Sequence, residues 1–600
     1  MTVAPSVFAQ RIARAQSALT QAGLAAVLVP SSDPHLSEYL PERWQGRQWL
    51  SGFTGSMGTL VITPTEAALF ADSRYWTQAE NELAGSGIAL VRIETGASIH
   101  HVQWLAERLG VGQTACVDAQ VLSLAAHQQL LAALTQVGAS LRTDLDLLAQ
   151  IWPERADLPT APIYEHDPQW ATTPRPTKLA QVRAAMATQG ASHHVISTVD
   201  DIAWLFNLRG SDVTYNPVFL AHALIDATRA TVFIAAGKVP SDLAMRLQAE
   251  SVFIQDYTQA GPALAALPPG TVLLLDPRRV TLGLRNSVPQ AVKVVEAINP
   301  SVFLKSRKSA EDAAHVRQAM AQDGAAMCAF YAWFEAAQGQ ERITELTIDE
   351  RLSAERAKRP GFVGLSFSTI AGFNGNGAMP HYRATPEHHA VIEGNGLLLI
   401  DSGGQYLGGT TDITRVWPIG TPSAEQRRDY TRVLKGTLAL SRTRFPVGTL
   451  SPMLDAIARQ PLWEAGLDFS HGTGHGVGYF LNVHEGPQSI SRALTEASMA
   501  MQPGMITSIE PGLYRVGQWG IRIENLVLNV PAPTQEQFGD FLAFETLTLC
   551  PIDTRCIDMS LLRKDEIDWL NGYHATVRAR LQPLVKGAAL AWLLERTEPI

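Results

Sequence analysis

Cysteine is scarce in this sequence. Only four cysteines occur among 600 residues, and no two of them form a Cys-x-x-Cys pair: Cys116, Cys328, Cys550 and Cys556. A disulfide framework or a thiolate zinc site is therefore not expected, and the scarcity favours a reducing compartment.

Long apolar runs and an excess of positive charge are missing as well. No stretch of about 18 uncharged apolar residues occurs, so no membrane-spanning helix is expected. The N-terminal MTVAPSVFAQRIARAQ lacks the apolar run of a signal peptide. A formal net charge of −9 argues against a nucleic-acid-binding protein, which normally presents a basic face. We therefore expect a soluble cytoplasmic protein that binds neither nucleic acid nor membrane.

The chain is too long for one hydrophobic core, and an internal repeat organises its first half. Residues 14–33 and 181–200 each combine an amphipathic helix pattern, a glycine and an apolar strand pattern. Further on, WLSGFTG at 49–55 matches WLFNLRG at 204–210, the first copy carrying a longer insertion. We predict two related α/β domains, joined by the Pro-rich stretch Trp152–Pro176.

A third domain is predicted to open with a long helix. Ser309 followed by Asp312 resembles a helix capping box, and apolar residues continue from there at helical spacing. Short strand patterns punctuated by glycine follow, and the last segment returns to helix without a core of its own. The fold class is α/β and α+β, with predicted domains at 1–155 (first α/β domain), 160–303 (second α/β domain), 304–545 (third domain) and 546–600 (C-terminal extension).

Two aspartates stand out in LLLIDSGGQYLGGTTDITRVW. Asp401 ends the apolar run Leu397–Ile400, Asp412 lies in a Thr/Ile-rich run, and the glycines between them indicate a hairpin. A carboxylate at the end of a buried strand is costly unless its charge is compensated, which a cation would do. For either aspartate alone, capping a turn beside Gly403 or Thr411 is the favoured alternative.

Three histidines lie within fourteen positions of SHGTGHGVGYFLNVHEGP: His471, His475 and His484. Lone histidines are usually structural, but three on one glycine-rich segment indicate a site. Histidine is the commonest nitrogen ligand of transition metals and exchanges protons readily near neutral pH.

Two glutamates complete the set. Glu510 closes the apolar run in MITSIEPG. In WGIRIEN, strand alternation places Ile521 and Ile523 on one face and Arg522 with Glu524 on the other. Arg522 and Glu524 could form a simple surface ion pair. If their face is interior, Glu524 can ligate a metal while Arg522 reaches a substrate or steadies a carboxylate.

Four carboxylates and at least one imidazole suit Mn²⁺, Co²⁺ or Zn²⁺, and the predominance of carboxylates favours manganese. Four carboxylates carry too much negative charge for one divalent ion. Two ions about 3.5–4 Å apart, sharing a bridging water or hydroxide, would balance it. The residues thus predict metal-assisted hydrolysis.

The order of Asp401, Asp412, HGTGHGVG, IEPG and RIEN resembles the pita-bread metallopeptidases, which include methionine aminopeptidase, prolidase and aminopeptidase P. Creatinase shares this fold. The resemblance implies that Asp412 and Glu524 bridge two metals and that Glu510 also shuttles a proton. The implied metal ligands are Asp401, Asp412, His475, Glu510 and Glu524.

The segment SFSTIAGFNGNGAMPHYRA resembles the substrate loop of the same family. The resemblance implies that His381, His471 and His484 are catalytic and bind substrate, and that Arg522 binds substrate. Met379 and Pro380 depart from the aliphatic residues usual in the family, which concerns only the shape of the pocket.

Two tandem α/β domains, together with DSRYW at 72–76 and FETLTLCPID at 544–553, resemble the three-domain cytosolic form of aminopeptidase P. This resemblance implies hydrolysis of N-terminal Xaa-Pro bonds of proline-containing peptides by a homodimer. Prolidase carries a single such domain and remains an alternative. A non-catalytic binding protein on the same fold is another, although relatives of that kind lack the metal ligands.

Overall fold

The computed structural model describes residues 6–96 and 98–600. The chain divides into two compact units, unit 1 at Met1–Val302 and unit 2 at Phe303–Ile600. Unit 1 contains two six-stranded sheets and a small two-stranded one, and unit 2 carries all the residues predicted to form the site.

The first half of unit 1 is an α/β domain. Its helices and strands are α1 (Val7–Gln21), β1 (Ala26–Pro30), α2 (Gly46–Ser51), β2 (Thr59–Ile62), β3 (Ala67–Ala71), α3 (Trp76–Glu82), β4 (Ala89–Arg92), α4 (His100–Arg108), β5 (Thr114–Cys116), α5 (Leu124–Gln136), β6 (Ser140–Arg142) and α6 (Leu147–Ile151). The strand order is β4-β3-β2-β1-β5-β6. Only β2 runs antiparallel to its neighbours within this sheet.

The second half repeats this topology. It contains β7 (Tyr164–Glu165), α7 (Arg175–Thr188), β8 (His193–Ile196), α8 (Val199–Phe206), β9 (Leu208–Arg209), β10 (Ala221–Ile225), β11 (Ala230–Ile234), α9 (Ser241–Ala249), β12 (Val252–Asp256), α10 (Ala260–Ala265), β13 (Val272–Leu275), α11 (Leu282–Asn286) and β14 (Lys293–Glu296), and α12 (Pro300–Ser306) follows. The order β12-β11-β10-β8-β13-β14 is that of the first sheet, again with one antiparallel strand, β10. The predicted duplication is therefore confirmed.

A glycine performs the same task in both copies. Gly23 follows α1 with a φ of 65°, and Gly190 follows α7 with a φ of 68°. This left-handed conformation ends a helix, and glycine adopts it without a steric cost. The chain can then turn directly into the first strand of each sheet.

The predicted linker Trp152–Pro176 is too long at its C-terminal end. Helix α7 already begins at Arg175, so Pro176 lies in its first turn. Proline is tolerated there because the N–H groups of the first turn have no partner within the helix.

Unit 2 is built from four longer helices, two short ones and a set of small sheets. Its elements are α13 (Ala310–Ala337), α14 (Glu345–Ala357), β15 (Phe362–Leu365), β16 (Ile370–Phe373), β17 (Gly396–Ser402), β18 (Gly404–Tyr406), β19 (Gly409–Thr410), β20 (Ile413–Ile419), α15 (Ala424–Ser441), β21 (Arg444–Pro446), α16 (Asp455–Trp463), β22 (Gly474–His475), β23 (Ser489–Ile490), β24 (Ile506–Ile509), β25 (Gly512–Arg515), β26 (Trp519–Arg522), β27 (Asn525–Ala532), β28 (Phe541–Thr546), α17 (Lys564–Leu581) and α18 (Gly587–Arg596). The sheets have the orders β16-β17-β20, β21-β28-β27-β24, β15-β18-β19, β22-β23 and β25-β26.

The long helix α13 begins as predicted. The Ser309 hydroxyl accepts a hydrogen bond from the Asp312 N–H, and the Asp312 carboxylate accepts one from the Ser309 N–H. Both bonds satisfy donors that the first turn of a helix leaves without a partner. The middle of the helix is then buried on nearly all sides, since every residue from 319 to 331 except 322 and 329 is buried.

The C-terminal helices share that core. The Trp592 ring of α18 stacks on Tyr331 of α13, with centroids 5.5 Å apart, and lies 5.7 Å from Trp417 of β20. Leu570 and Val577 of α17 are buried in the same cluster. As the sequence predicts, the last segment has no separate core.

In the described part of the chain, no helix combines the length and the apolarity needed to span a bilayer. All four cysteines are buried free thiols.

Two helical glycines predict opposite effects of the same substitution. At Gly324 in α13, an added Cβ would lie far inside van der Waals contact with the backbone carbonyl oxygen of Leu549. At Gly572 in α17, it would meet no atom within 4 Å. Gly572→Ala is expected to stabilise unit 2 by about 0.5–1 kcal/mol through helix propensity. Gly324→Ala is expected to destabilise it by about 1–3 kcal/mol through overpacking.

Urea unfolding of the two variants beside the unchanged protein measures both effects. Equal stabilisation by the two alanines would contradict the close packing of α13 against the segment after β28.

Candidate metal centre

The hairpin formed by β17 and β20 brings the two aspartates together. Asp401 lies opposite Thr414 in the antiparallel pair, and Asp412 directly precedes β20. Both side chains are buried. The Oδ1 atom of Asp401 is buried without a hydrogen-bond partner. An anionic oxygen in that position requires a cation or a proton.

His475 lies in the short strand β22 and faces the carboxylates. Its Nδ1 lies 2.9 Å from the Gly476 carbonyl oxygen, so this nitrogen carries the ring proton. The Nε2 atom therefore carries the lone pair of the ring, and it lies 3.6 Å from Asp412 Oδ2 and 3.3 Å from Glu510 Oε1. This orientation is typical of metal-ligating histidines.

Each of the two glutamates lies just after the end of a strand, β24 or β26. Glu510 follows β24, and its Oε1 accepts a hydrogen bond of 2.9 Å from the Ser508 hydroxyl. Glu524 lies between β26 and β27, and its Oε2 accepts a bond of 2.7 Å from the Thr414 hydroxyl. The other oxygen of Glu524, Oε1, is buried without a hydrogen-bond partner.

The ligand atoms of three of these side chains form a compact group. One atom each of Asp412, His475 and Glu524 lie within 4.8 Å of one another. Arg522 is buried as well and donates to Asp401 Oδ2 at 2.5 Å. The alternative of a surface ion pair between Arg522 and Glu524 is therefore wrong, because their face of the strand is interior.

Burial and mutual repulsion raise the pKa values of three carboxyl groups: Asp412, Glu510 and Glu524. Burial, and then the charges of Asp401 and Glu510, raise the pKa of Asp412 well above its usual value. Burial followed by the charge of Asp412 does the same to the pKa of Glu524. The pKa of Glu510 is raised to about 7 by burial, against the opposing effect of Arg522.

The residues present fit a pair of divalent cations. Four carboxylates meet one imidazole and one guanidinium, and two buried carboxylate oxygens have no hydrogen-bond donor. Oxygen ligands with a single nitrogen suit divalent ions of the Mn²⁺ to Zn²⁺ series. Two such ions would balance the four negative charges.

A chain of hydrogen bonds connects His471 to the centre. His471 Nε2 lies 2.7 Å from the Tyr514 hydroxyl, Tyr514 accepts from Arg522 at 2.7 Å, and Arg522 binds Asp401. Because His471 Nδ1 lies 2.7 Å from the Gly472 carbonyl oxygen, Nε2 is the acceptor of the Tyr514 proton. Burial raises the pKa of Tyr514 to about 12, so the phenol remains a donor at neutral pH.

The other two predicted histidines lie on segments next to the centre. The His484 ring meets the His475 ring edge-on, with centroids 4.4 Å apart. His381 follows Pro380, whose carbonyl oxygen accepts a hydrogen bond of 3.2 Å from Arg522. Arg522 thus connects the predicted substrate loop with Asp401.

Sequence reasoning missed three polar residues of the site: Thr414, Ser508 and Tyr514. Each lies within two or four positions of a predicted ligand, which is the only sequence signal that could have found them. Their partners become visible only in the folded chain, as with the Thr414 hydroxyl on Glu524.

Comparison with family models assigns most of the chain. Residues 314–530 match metallopeptidase family M24, and residues 540–600 match the C-terminal region of peptidase M24. Two models of the creatinase/prolidase N-terminal domain match residues 11–144 and 154–312.

Similar proteins cover nearly the whole chain. Aminopeptidase P2 of Arabidopsis thaliana is 37% identical over 96% of this chain and 86% of its own length. Xaa-Pro aminopeptidase 2 of Sus scrofa is 35% identical over 99% and 89%. The crystal structure of an X-prolyl aminopeptidase from Caenorhabditis elegans, described as a cytosolic enzyme with a di-nuclear active site, superposes with a TM-score of 0.94 at 31% identity, covering 99% of this chain and 100% of that one.

The fold is thus two tandem creatinase-N-like α/β domains followed by a pita-bread domain. The chain belongs to metallopeptidase family M24, among the Xaa-Pro aminopeptidases P that carry two N-terminal α/β domains.

Proposed function

We propose that this chain hydrolyses the N-terminal Xaa-Pro bond of peptides at a dinuclear metal centre. The observation that carries the proposal is the group of four carboxylates and one imidazole, of which Asp401, Asp412 and Glu524 are buried. Within it, Asp401 Oδ1 and Glu524 Oε1 have no donor. The similarity to proteins named Xaa-Pro aminopeptidase supports the choice of substrate.

Five residues would hold the cations: Asp401, Asp412, His475, Glu510 and Glu524, with Asp412 and Glu524 bridging. When bound, the pair polarises the scissile carbonyl and activates a shared water for attack. Manganese is our first choice because carboxylates predominate among the ligands, with zinc or cobalt as substitutes.

Glu510 is proposed to move the proton. Ser508 occupies its Oε1, which leaves Oε2 to accept a proton from the attacking water and deliver it to the prolyl nitrogen. His475 Nε2 lies 3.3 Å from Oε1 of the same carboxylate, so both atoms face the space that the cations would fill.

Three histidines and Arg522 are proposed to form the substrate site. His484 would help to hold the scissile carbonyl oxygen and the developing charge, and His381 would contact the substrate from its loop. His471 would act through Tyr514, because its two ring nitrogens face Gly472 and Tyr514. Arg522 donates hydrogen bonds to the Tyr514 hydroxyl, which contacts His471, and to the carbonyl oxygen of Pro380, the residue before His381.

The bond before proline suits such a site. It is a tertiary amide without an N–H, so peptidases that bind the scissile N–H recognise it poorly. A centre that acts on the carbonyl and recognises the proline ring by shape does not need that donor.

We further propose a cytoplasmic homodimer that takes proline-containing peptides and binds neither nucleic acid nor membrane. The net charge of −9 supports the absence of a nucleic-acid partner, and the buried free thiols and the cytosolic relative from Caenorhabditis elegans support the location. The homodimer is what the resemblance to the three-domain form implies.

Hydrolysis of Ala-Pro-Pro tests the function directly. The purified protein is expected to release alanine, to lose activity after chelation and to recover it with Mn²⁺. The dipeptide Ala-Pro is the control, because turnover of the dipeptide alone would identify a prolidase. Failure to bind any divalent metal would instead favour a non-catalytic binding protein.

Replacing Glu510 by glutamine removes the proton carrier while keeping the shape of the side chain. We expect kcat on Ala-Pro-Pro to fall by about 10²–10⁴-fold, the range typical of general acid–base groups. The metal content, measured by mass spectrometry, identifies variants that still hold two ions. Unchanged turnover of such a variant would overturn the role of Glu510.

Replacing Asp412 by asparagine is expected to affect the metal-free and the metal-loaded protein differently. Without metal, the replacement removes the buried carboxyl group of Asp412, which the charges of Asp401 and Glu510 disfavour in its ionised form. The melting temperature of the metal-free protein therefore rises or stays constant. With saturating Mn²⁺, the unchanged protein gains about 2.7 kcal/mol at 100 times the dissociation constant, and the variant gains less.

Asp568→Asn serves as the matched control, because Asp568 is exposed on the surface of α17, where it pairs with Lys564. Equal stabilisation of Asp412→Asn and Asp568→Asn by Mn²⁺ would remove Asp412 from the ligand set.

A further inference from the structure

Glu345 is a fully buried glutamate that no part of the proposed mechanism uses. It is the first residue of α14, directly after the capping residue Thr344. A carboxylate at this place is stabilised by the helix dipole, but burial still requires hydrogen-bond donors for its two oxygens.

Four donors saturate the Glu345 carboxylate. Its Oε1 accepts from the Phe373 N–H at 2.7 Å and from the Asn376 amide at 3.0 Å. Its Oε2 accepts from the Tyr382 hydroxyl at 2.8 Å and the Ala390 N–H at 2.6 Å. Bonds to a charged acceptor are about twice as strong as neutral ones.

These donors flank His381 on both sides along the chain. Phe373 and Asn376 precede it, Tyr382 is its immediate neighbour, and Ala390 follows it further along the segment between β16 and β17. One carboxylate therefore holds the chain both before and after His381. All four donors lie 28 to 45 positions away from Glu345.

The residue before His381, Pro380, is held by a side chain of the metal centre. Arg522 donates to the Pro380 carbonyl oxygen and to Asp401. His381 thus lies between two anchored neighbours, one held by Arg522 and one by Glu345. No other charged side chain is recorded on the Tyr382 hydroxyl among the residues that the structure describes.

We propose that Glu345 is a positioning residue that holds the loop around His381 in the conformation required for catalysis, a role that rests on the proposed function. The carboxylate is required as such, because either orientation of a glutamine amide would direct its NH₂ group at a backbone N–H, that of Phe373 or that of Ala390. A loop displaced by about 1 Å can cost about 10²-fold in rate.

A double-mutant cycle tests the role, with kcat/KM on Ala-Pro-Pro as the readout and metal content as a check. Glu345→Gln is expected to lower kcat/KM by about 10–100-fold in the unchanged protein. In a His381→Ala background, the same change is expected to cost less than about twofold, because the group to be positioned is gone. Two metal ions per chain are expected throughout.

Asp323→Asn is the matched control. Asp323 is also a buried carboxylate of unit 2 and accepts hydrogen bonds from Arg356 and Tyr406. Any loss that its replacement causes is expected to be equal in both His381 backgrounds. Tyr382→Phe removes one donor without adding a polar group, and we expect a loss of about threefold to tenfold that also disappears with His381→Ala.

If Glu345→Gln does not fold, the double-mutant cycle of Tyr382→Phe with His381→Ala tests the positioning role in its place. A loss that persists undiminished in the His381→Ala background would overturn the positioning role. Absence of turnover by the unchanged protein would overturn the proposed function and this role together, whereas turnover without coupling would overturn this role alone.

Discussion

The crowding of four carboxylates in the interior of unit 2 is the constraint on which the rest of this domain depends. Their charges repel one another and are cut off from water, so the pKa values of Asp412 and Glu524 rise well above the usual range. A single guanidinium, Arg522, is recorded on Asp401. The small sheets, the strand ends that converge on the centre and the hydroxyls of Thr414 and Ser508 all keep these charges in one place.

The sequence predicts the ligands as a set better than it predicts any of them singly. Alternation along a strand indicates that Arg522 and Glu524 share a face, but it cannot tell an interior face from an exposed one. That choice depends on strands more than a hundred positions away, as in the bond from Thr414 to Glu524. The link between His471 and Tyr514, 43 positions apart, is hidden from local patterns for the same reason.

The elements that local chemistry determines are those that the sequence predicts well. The capping box at Ser309 specifies where α13 begins, and the glycines at 23 and 190 end their helices in the left-handed conformation. The two sheets of unit 1 keep one strand order although their sequences have diverged. Pro176 is a position that local chemistry does not decide, since proline occurs both in linkers and in the first turn of a helix.

The spacing of the centre along the chain has a consequence for biosynthesis. Hydrogen bonds through Arg522 and Thr414 connect Asp401 with Glu524. The five proposed ligands span residues 401–524, and no shorter stretch of the chain contains all of them. Unit 1 leaves the ribosome whole before any ligand is made, because it ends at Val302. Since domains fold as they emerge, unit 1 can mature during translation, whereas the metal centre is complete only after Glu524 has been released from the exit tunnel. Delivery of metal is therefore a late step in the maturation of this protein.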